Sequence, residues 1–407
     1  MVAQAQLADS SALFELVQTA LPDPILGLTE AFIKDTRSEK VNLGVGVYQN
    51  GSGNVPLLES VHKAESKLVA DAESKSYLPI DGLPEYNRLV QQLLLGADSL
   101  VAAAGCAVTI QAVGGTGALK VGADFLRSVC GAAVIWISTP SWENHRAVFE
   151  GAGLIVRQYP YYDPDTHQVD FEAMISALES LPRNSVVLLH ACCHNPTGAD
   201  LTRPQWDRLV ELCKAIGLLP FLDFAYQGFG AGLEQDAYAV RAFAAAHVRC
   251  LIANSFSKSF SLYRERAGAL TIITGSPAES KTLLSQIKRV VRTNYSSPPA
   301  HGAQIVATIL EDEQLRKIWE AELTEMRLRI HSARSVLRDA LKVTGRDFSF
   351  ITSQNGMFSY SGLSTEVVRK LRSEYGIYIV DSGRICVAAL NDNNIKYVAG
   401  AIAAVLG

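Results

Sequence analysis

Residues 186–224, VVLLHACCHNPTGADLTRPQWDRLVELCKAIGLLPFLDF, decide the fold class. This stretch opens with Val186–Ala191, an apolar run without polar alternation, which is typical of a strand covered on both faces. An amphipathic helix is predicted to begin near Thr202, which has capping-box spacing to Gln205, and to end at Gly217. A second apolar run, Leu218–Phe224, completes a strand–helix–strand unit, which predicts two neighbouring parallel strands.

The same alternation extends along most of the chain. Further strand candidates, all rich in Val, Ile or Leu, are Ala107–Val113, Ala133–Ser138, Leu154–Tyr159, Val248–Ser255 and Ala267–Thr274. Helical segments separate them, so we expect an α/β fold whose mainly parallel sheet carries helices on both faces. Sheets of this kind bind ligands at the carboxyl ends of their strands.

The length predicts more than one domain. The chain has 407 residues, 48% of them hydrophobic, which is more than a single ordinary domain holds. A run without Gly or Pro, Ala303–Val343, keeps helical spacing and is long enough to bridge two domains. The segments predicted beyond it are strands at Phe348–Ile351, Gly356–Ser361, Ile377–Val380 and Arg384–Ala388, with helices at Ser364–Tyr375 and Asn393–Leu406.

We therefore predict three parts. Residues 1–23 form an N-terminal arm, and residues 56–320 form a large domain. Residues 24–55 join residues 321–407 in a smaller α/β domain.

Composition excludes several function classes. The net charge is −4, with 37 basic and 41 acidic residues, and no basic block suits nucleic-acid phosphates. No apolar run approaches the roughly 20 residues that a membrane helix needs. Residues 1–28 contain no Lys or Arg, so neither a secretory signal nor a presequence is expected. Seven scattered cysteines suit reduced thiols in a cytoplasmic protein, and no pair of CxxC motifs suggests a metal.

A glycine-rich turn, Gly114–Leu119, follows the first long strand and precedes a helical segment. Glycines let the backbone approach a ligand, and a helix N-terminus offers free N–H groups to an anion. The turn is therefore a candidate phosphate cradle, although a plain strand-to-helix turn is an equally good interpretation. It lacks the GxGxxG spacing of a dinucleotide site.

Lys258 ends the sequence Asn-Ser-Phe-Ser-Lys, just past an apolar strand. A lysine that leaves a buried sheet edge loses hydration, which lowers its pKa and frees the amine for Schiff-base chemistry. Ser255 and Ser257 flank it, and Arg266 follows within reach of a phosphate. A surface lysine would be the ordinary interpretation of such a residue alone.

Further chemistry-bearing residues follow other strands. Burying the carboxylate of Asp223 at a strand end costs free energy unless it meets a cation, such as a protonated pyridine nitrogen. Helix capping is the alternative interpretation, since it is a common role for Asp. Tyr226 could donate to a ring oxygen, and Asn195 lies in an Asn-Pro-Thr-Gly turn beyond another strand. Trp142 could stack on a heteroaromatic ring, and His145 is, alone, more often structural than catalytic.

These motifs together resemble the class I aminotransferases, which have the type I fold of pyridoxal-phosphate enzymes. They occur in one order as Gly-Gly-Thr-Gly at 114–117, Asn-Pro-Thr-Gly at 195–198, Asp-x-x-Tyr at 223–226 and Ser-x-Ser-Lys at 255–258. The resemblance runs from Asp23 to the C-terminus and is closest to the aspartate and aromatic-amino-acid subgroup, in particular its bacterial aromatic (tyrosine) members. It implies a homodimer whose active sites lie at the subunit interface.

The resemblance also implies roles around the cofactor ring. Lys258 would hold pyridoxal 5'-phosphate as a Schiff base and would move protons. Asp223 would bind the pyridine nitrogen with support from His145, while Tyr226 and Asn195 would bind the ring oxygen.

The remaining cofactor contacts follow in the same way. Trp142 would stack on the ring, and Tyr77 of a second subunit would reach the phosphate. The other implied phosphate ligands are Gly115, Thr116, Ser255, Ser257 and Arg266.

Two arginines would bind the substrate's carboxylates, because a guanidinium fork matches a carboxylate. Spacing alone does not select them among the arginines of the chain. The resemblance assigns Arg384 to the α-carboxylate and Arg292 of the second subunit to a side-chain carboxylate. The full set implied at the substrate is Gly46, Trp142, Asn195, Arg292, Ser297, Phe358 and Arg384.

The subgroup markers are mixed. Glu143 and Ser297 fit the aromatic members, whereas Val47 and Thr116 fit the aspartate members. Arg264 is unusual at its position, and no pattern in the sequence explains it. We predict transfer of the amino group of tyrosine or phenylalanine, and of aspartate, to 2-oxoglutarate.

Four alternatives remain open at this stage. The first is an aspartate-preferring aminotransferase, and the second is another reaction of the same cofactor, such as β-decarboxylation. The third, a non-catalytic binding protein of this fold, is disfavoured because Lys258, Asp223 and both arginines are intact. The fourth, a nicotinamide dehydrogenase, is disfavoured by the missing GxGxxG.

Overall fold

A computed structural model describes residues 14, 17–19, 23, 25–72 and 74–407. Most of the predicted arm, residues 1–23, therefore lies outside the described residues. In the part described, no helix is long and apolar enough to span a membrane.

The described strands follow the apolar runs closely. They are β1 (Val41–Asn42), β2 (Ala107–Val113), β3 (Val134–Thr139), β4 (Ile155–Pro160), β5 (Tyr162–Asp163), β6 (Gln168–Val169), β7 (Val186–His190), β8 (Leu219–Phe224), β9 (Cys250–Ser255), β10 (Ala267–Ile273), β11 (Phe358–Tyr360), β12 (Ile377–Tyr378) and β13 (Arg384–Cys386).

Helices occupy most of the intervening segments. They are α1 (Leu26–Lys34), α2 (Glu59–Asp71), α3 (Pro84–Leu95), α4 (Leu100–Ala103), α5 (Gly114–Ser128), α6 (Glu143–Glu150), α7 (Phe171–Glu179), α8 (Arg203–Ile216), α9 (Leu233–Asp236), α10 (Tyr238–Ala245), α11 (Pro277–Asn294), α12 (His301–Glu311), α13 (Glu313–Leu341), α14 (Thr365–Tyr375) and α15 (Ile395–Leu406).

The central sheet has the order β2-β10-β9-β8-β7-β3-β4. β10 is antiparallel to both of its neighbours, and the other pairs are parallel. The predicted α/β fold with a mainly parallel sheet is confirmed. Because β10 runs in the opposite direction, its first residue lies at the same edge as the carboxyl ends of the other strands.

Both faces of the sheet are covered, as the lack of alternation in the strands predicts. Within β7, Val187 and Leu189 belong to one buried apolar cluster, whereas Val186 and Leu188 belong to another. Neighbouring side chains of a strand point to opposite faces, so these two clusters pack on opposite sides of the sheet.

The helix after β7 has the predicted signals. α8 begins after Thr202, whose backbone N–H donates to the side chain of Gln205 at 2.8 Å. It ends at Gly217, which has a φ of 73° and so takes the left-handed conformation that favours glycine.

Three two-stranded sheets complete the fold. β1 pairs in parallel with β12, β11 pairs antiparallel with β13, and β5 pairs antiparallel with β6. Residues 41–42 therefore lie beside residues 377–378, although 335 positions separate the two segments in the sequence. The division into domains at residues 24, 56 and 321 stays a prediction.

Two local predictions are wrong. Phe348–Ile351 is not a strand, because a 3₁₀ turn, Ser349–Thr352, takes its place. The Asp347 side chain accepts from the N–H of Ser349 at 2.7 Å, and such local bonds compete with pairing in a sheet. The long helical run is two helices, because Asp312 caps α13 by accepting from the N–H groups of Gln314 and Leu315.

Candidate active site

The carboxyl edge of the central sheet gathers most of the predicted site residues. One cavity at this edge contacts Lys258, and its walls are Gly115, Thr116, Leu119, Trp142, Asn195, Asp223, Ala225, Tyr226, Ser255, Ser257 and Arg266. Arg266 reaches this edge because it immediately precedes the antiparallel strand β10. The cavity therefore contains residues at or just beyond the carboxyl ends of five strands, β2, β3, β7, β8 and β9, as expected for a parallel sheet.

Asp223 is buried within β8 and is held by a histidine. Its Oδ2 lies 2.9 Å from Nε2 of His145, whose Nδ1 lies 2.9 Å from the hydroxyl of Ser141. Burial alone would raise the pKa of Asp223, but the hydrogen bond and the nearby charges of His145 and Lys258 outweigh it and lower that pKa. A buried carboxylate that stays ionised is suited to pair with a cationic ring nitrogen.

Lys258 has the properties of a reactive amine. Burial lowers its pKa to about 8, the nearby Asp223 opposes that shift, and the charges of Arg266 and Arg384 add to it. Nζ lies 5.2 Å from the ring centre of Tyr226, and no hydrogen-bond acceptor for it is found among the described residues. The predicted Schiff-base lysine therefore lines the cavity with an amine that is available to react.

The other end of the cavity is suited to an anion. α5 begins at Gly114, directly after β2, so the free N–H groups of its first turn face the cavity. Nη1 of Arg266 donates to the hydroxyl of Ser257 at 3.2 Å and to the carbonyl of Tyr263 at 3.0 Å. A Cβ on Gly114 would lie 2.6 Å from Nη2 of Arg266, so a larger residue at this position would displace the guanidinium.

A second cavity of about 270 Å³ adjoins the first and contains Arg384. Arg384 is 1% exposed, and its guanidinium donates to Oδ1 of Asn195 at 3.0 Å and to the carbonyl of Gly44 at 2.6 Å. The amide of Asn195 also lies 3.5 Å from the hydroxyl of Tyr226. Asn195 therefore lies between the two cavities and contacts side chains of both.

Phe358 supports Arg384 from one side. Its ring centre lies 4.3 Å from the guanidinium carbon, and a Cβ on Gly46 would approach the ring to 2.6 Å. Trp142 lines both cavities and lies edge-on to His145, with ring centres 5.2 Å apart.

Besides His145, which is buried and hydrogen-bonded to Asp223, three predicted residues do not line these cavities in a single chain. Tyr77 is 94% exposed, and Arg292 is an exposed residue that donates to the hydroxyl of Ser296. Ser297 is half-buried, just beyond α11. Arg264 is exposed, and nothing in the structure explains it.

Some residues at the second cavity were not predicted. Ile25 and Leu26 come from the start of α1, and Glu143 and Asn144 come from the start of α6. Glu143 stands out because its Oε2 lies 3.6 Å from Arg384 and has no hydrogen-bond partner among the residues that the structure describes. The sequence marked Glu143 only as a subgroup difference next to Trp142, and no site role was predicted for the two apolar residues.

The first cavity fits pyridoxal phosphate. It offers an ionised carboxylate at one end, an anion-binding helix start with an arginine and two hydroxyls at the other, and an uncommitted amine between them. These groups match a pyridine ring nitrogen, a phosphate and an aldehyde, respectively.

Comparison with known proteins assigns the family. The model of the family "Aminotransferase class I and II" matches residues 38–402. The aspartate aminotransferase of Pseudomonas aeruginosa is 53% identical, and the aromatic-amino-acid aminotransferase of Escherichia coli is 50% identical; each match covers 97% of this chain and all of the relative.

A solved structure agrees over nearly all of the chain. The aromatic-amino-acid aminotransferase of Burkholderia pseudomallei, covalently bound to pyridoxal phosphate, has a TM-score of 0.95 and 57% sequence identity; 98% of this chain and all of that one are covered. With residues that fit the same cofactor on the same fold, this chain belongs to the class I and II aminotransferases and is a pyridoxal-phosphate-dependent transaminase.

Proposed function

We propose that this enzyme transfers the amino group of aromatic amino acids, tyrosine and phenylalanine, and also of aspartate, to 2-oxoglutarate. The observation that carries the proposal is the make-up of the second cavity. Arg384 lies there beside apolar side chains, namely Ile25, Leu26, Trp142 and Phe358. An α-carboxylate can bind the guanidinium while an aromatic side chain packs on the apolar wall.

The charges of the site suit proton transfer at the substrate's α-carbon. When bound, pyridoxal phosphate supplies a protonated ring that accepts electrons from that carbon. Asp223 keeps such a ring protonated because its own pKa is lowered. The amine of Lys258 can take and return a proton near neutral pH, since its pKa is about 8. Arg384 and Asn195 hold the carboxylate end of the substrate in place.

We assign the individual contacts as the resemblance implies. Tyr226 and Asn195 bind the ring oxygen, Trp142 stacks on the ring, and His145 supports Asp223. The phosphate ligands are Gly115, Thr116, Ser255, Ser257 and Arg266, whose polar groups line one end of the cavity.

A panel of amino donors with 2-oxoglutarate tests the proposal. We expect tyrosine, phenylalanine and aspartate to be substrates, each with a measurable kcat/KM. Aspartate alone as a donor would instead establish the aspartate-preferring alternative, which the relatives named aspartate aminotransferase favour. No transamination by fully loaded enzyme would leave a non-catalytic binding protein.

Arg292 distinguishes the two donor types. It lies at the end of α11 and is exposed in a single chain, so it is free to turn towards or away from a ligand. A buried guanidinium facing an aromatic ring would cost several kcal/mol, so aromatic substrates require it to turn away. We expect Arg292→Ala to lower kcat/KM for aspartate and to leave that for phenylalanine largely unchanged. Unchanged activity on both donors would contradict this role.

We also propose a homodimer in which Tyr77, Arg292 and Ser297 complete the site of the partner subunit. All three lie away from the cavities of their own chain. Mixing Lys258→Ala subunits with Arg292→Ala subunits tests this arrangement. The mixed dimer regains one intact site, so random exchange restores about a quarter of the aspartate activity. No gain on mixing would show that Arg292 acts within its own chain.

The two remaining assignments are the domains and the compartment. We propose a large domain over residues 56–320 and a small one built from residues 24–55 and 321–407, with the substrate cavity between them. We further propose a cytoplasmic enzyme, because the odd number and scattered positions of its seven cysteines suit a reducing compartment.

A further inference from the structure

Arg334 is a buried cation that none of the assignments above uses. It lies on α13 and is fully buried, at 0% exposure. Burial lowers its pKa to about 10, so it remains charged at neutral pH. Among the residues that the structure describes, no carboxylate lies within ion-pairing distance of it. A buried charge is expensive, so its hydrogen-bond partners must compensate.

Those partners are all main-chain carbonyls of one short segment. Nη1 donates to Ile351 at 2.8 Å, and Nη2 donates to Gly356 at 2.8 Å and to Phe358 at 2.5 Å. Asn355 also accepts from Nη2, at 3.2 Å. This guanidinium therefore fixes residues 351–358, the segment that delivers Phe358 to the substrate cavity.

The same segment interlocks with the loop that carries Asn195. The N–H of Asn355 donates to the carbonyl of Gly198 at 2.7 Å. A Cβ on Gly198 would lie 2.9 Å from the carbonyls of both Asn355 and Phe358. The close approach therefore requires glycine here, and it leaves the loop no room to shift relative to the segment.

Asp200 joins the two from the other side. Its carboxylate accepts from the N–H groups of Cys193 and His194, each at 2.8 Å, and from the amide of Asn355 at 3.2 Å. Burial raises the pKa of Asp200 to about 6, so it is mainly ionised at neutral pH. Asn355 therefore bridges a buried cation and a half-buried anion, because it contacts Arg334 through its carbonyl and Asp200 through its side chain.

We propose that Arg334 is a positioning residue for the substrate-carboxylate site. Together with Asn355 and Asp200 it sets the loop of Asn195 against the segment of Phe358. Asn195 and Phe358 both contact Arg384, through a 3.0 Å hydrogen bond and a 4.3 Å ring contact. The inference rests on the proposed function, in which Arg384 binds the substrate's α-carboxylate.

The test separates a positioning role from a purely structural one. Arg334→Met and Arg334→Lys are compared with Arg327→Met, a change on the same helix. Arg327 is a suitable control because it also donates to a main-chain carbonyl, that of Gly228, at 3.1 Å, although it is only half-buried. Each cofactor-loaded variant is measured for Tm, cofactor content, kcat and KM. Calorimetry gives the Kd of 3-phenylpropionate, a carboxylate that cannot react.

We expect Arg334→Met to raise both the KM and this Kd about tenfold. The reason is that a displaced Arg384 binds the carboxylate of the substrate or inhibitor poorly even when the cofactor is in place. The kcat should fall by only about threefold, since Lys258 and Asp223 are not displaced. Arg334→Lys should recover part of the affinity, and Arg327→Met should leave it unchanged. A folded, loaded Arg334→Met variant with the Kd of the wild type would overturn the inference.

A second variant covers the case in which Arg334→Met does not fold. Asn355→Ala removes only a half-buried side chain, and we expect it to raise the Kd about threefold through the lost bond to Asp200. An unchanged Kd for this variant would also overturn the inference. Failure of the proposed function is distinct, because the wild-type enzyme itself would then neither transaminate tyrosine or phenylalanine nor bind 3-phenylpropionate.

Discussion

The amine of Lys258 should react with an aldehyde at a pH where ordinary lysines do not. Its pKa is about 8, against 10.5 for an exposed lysine. At pH 8 about half of it is neutral, which is about 150 times the neutral fraction of an ordinary lysine. Only the neutral amine is a nucleophile. The capture of pyridoxal phosphate by cofactor-free enzyme should therefore accelerate about 50-fold from pH 6 to pH 8 and change by about a tenth from pH 9 to pH 10.

The assay is the growth of the imine absorbance after rapid mixing, followed by borohydride reduction and peptide mapping. The same mixing with N-acetyl-lysine amide, corrected for the neutral fraction of that amine, gives the pH dependence of the aldehyde itself, which is divided out. Labelling should be confined to Lys258.

Two substitutions should move the midpoint in opposite directions. The negative charge of Asp223 raises the pKa of Lys258, so Asp223→Asn should shift the midpoint to lower pH. The positive charge of Arg384 lowers that pKa, so Arg384→Gln should shift the midpoint to higher pH. A rate that still climbs tenfold from pH 9 to pH 10, or a midpoint that neither substitution moves, would refute the reasoning.

Three further substitutions test close packing at two glycines and one helix cap. Gly114→Ala should raise the Kd of pyridoxal phosphate at least about tenfold, because its Cβ would lie 2.6 Å from the phosphate-site arginine. Gly131→Ala, with a similar φ and no neighbour within 4 Å, controls for backbone strain and should leave the Kd unchanged. Gly46→Ala should raise the substrate KM by displacing Phe358, with cofactor content as the control. Asp312→Ala should lower the free energy of unfolding by about 1 kcal/mol through loss of the cap, whereas Asp312→Asn should retain most of it in the same denaturant titration.

Much of the large sheet could be predicted because burial on both faces leaves a plain signal. A run such as Val186–Ala191 has no polar position to spare, and strands of that kind occur in few architectures. The site followed for the same reason. Asp223 and Lys258 directly follow or end such runs, and the carboxyl ends of parallel strands meet at one edge.

The remaining features depend on contacts that local sequence does not encode. Phe348–Ile351 has the composition of a strand, but it folds as a 3₁₀ turn, and Phe350 stacks on His167 with ring centres 3.7 Å apart. Arg384 was recognised only through the family resemblance, because its significance comes from a partner 189 positions away, Asn195. Arg334 gave no signal at all, since its burial is set by how α13 packs in three dimensions.

The site requires opposite charge states of two neighbouring groups, since the buried Asp223 must stay ionised while the half-buried Lys258 must be able to lose its proton. Desolvation favours the neutral form of both Asp223 and Lys258. At Asp223 a hydrogen bond to His145 overcomes this effect, so the carboxylate stays ionised. At Lys258 no hydrogen bond from the described part of the chain does so, and the amine can lose its proton near neutral pH. The hydrogen bond with His145 therefore keeps Asp223 ionised, whereas Lys258 can take up and release a proton. Replacing His145 should disturb the carboxylate first and the amine only through it.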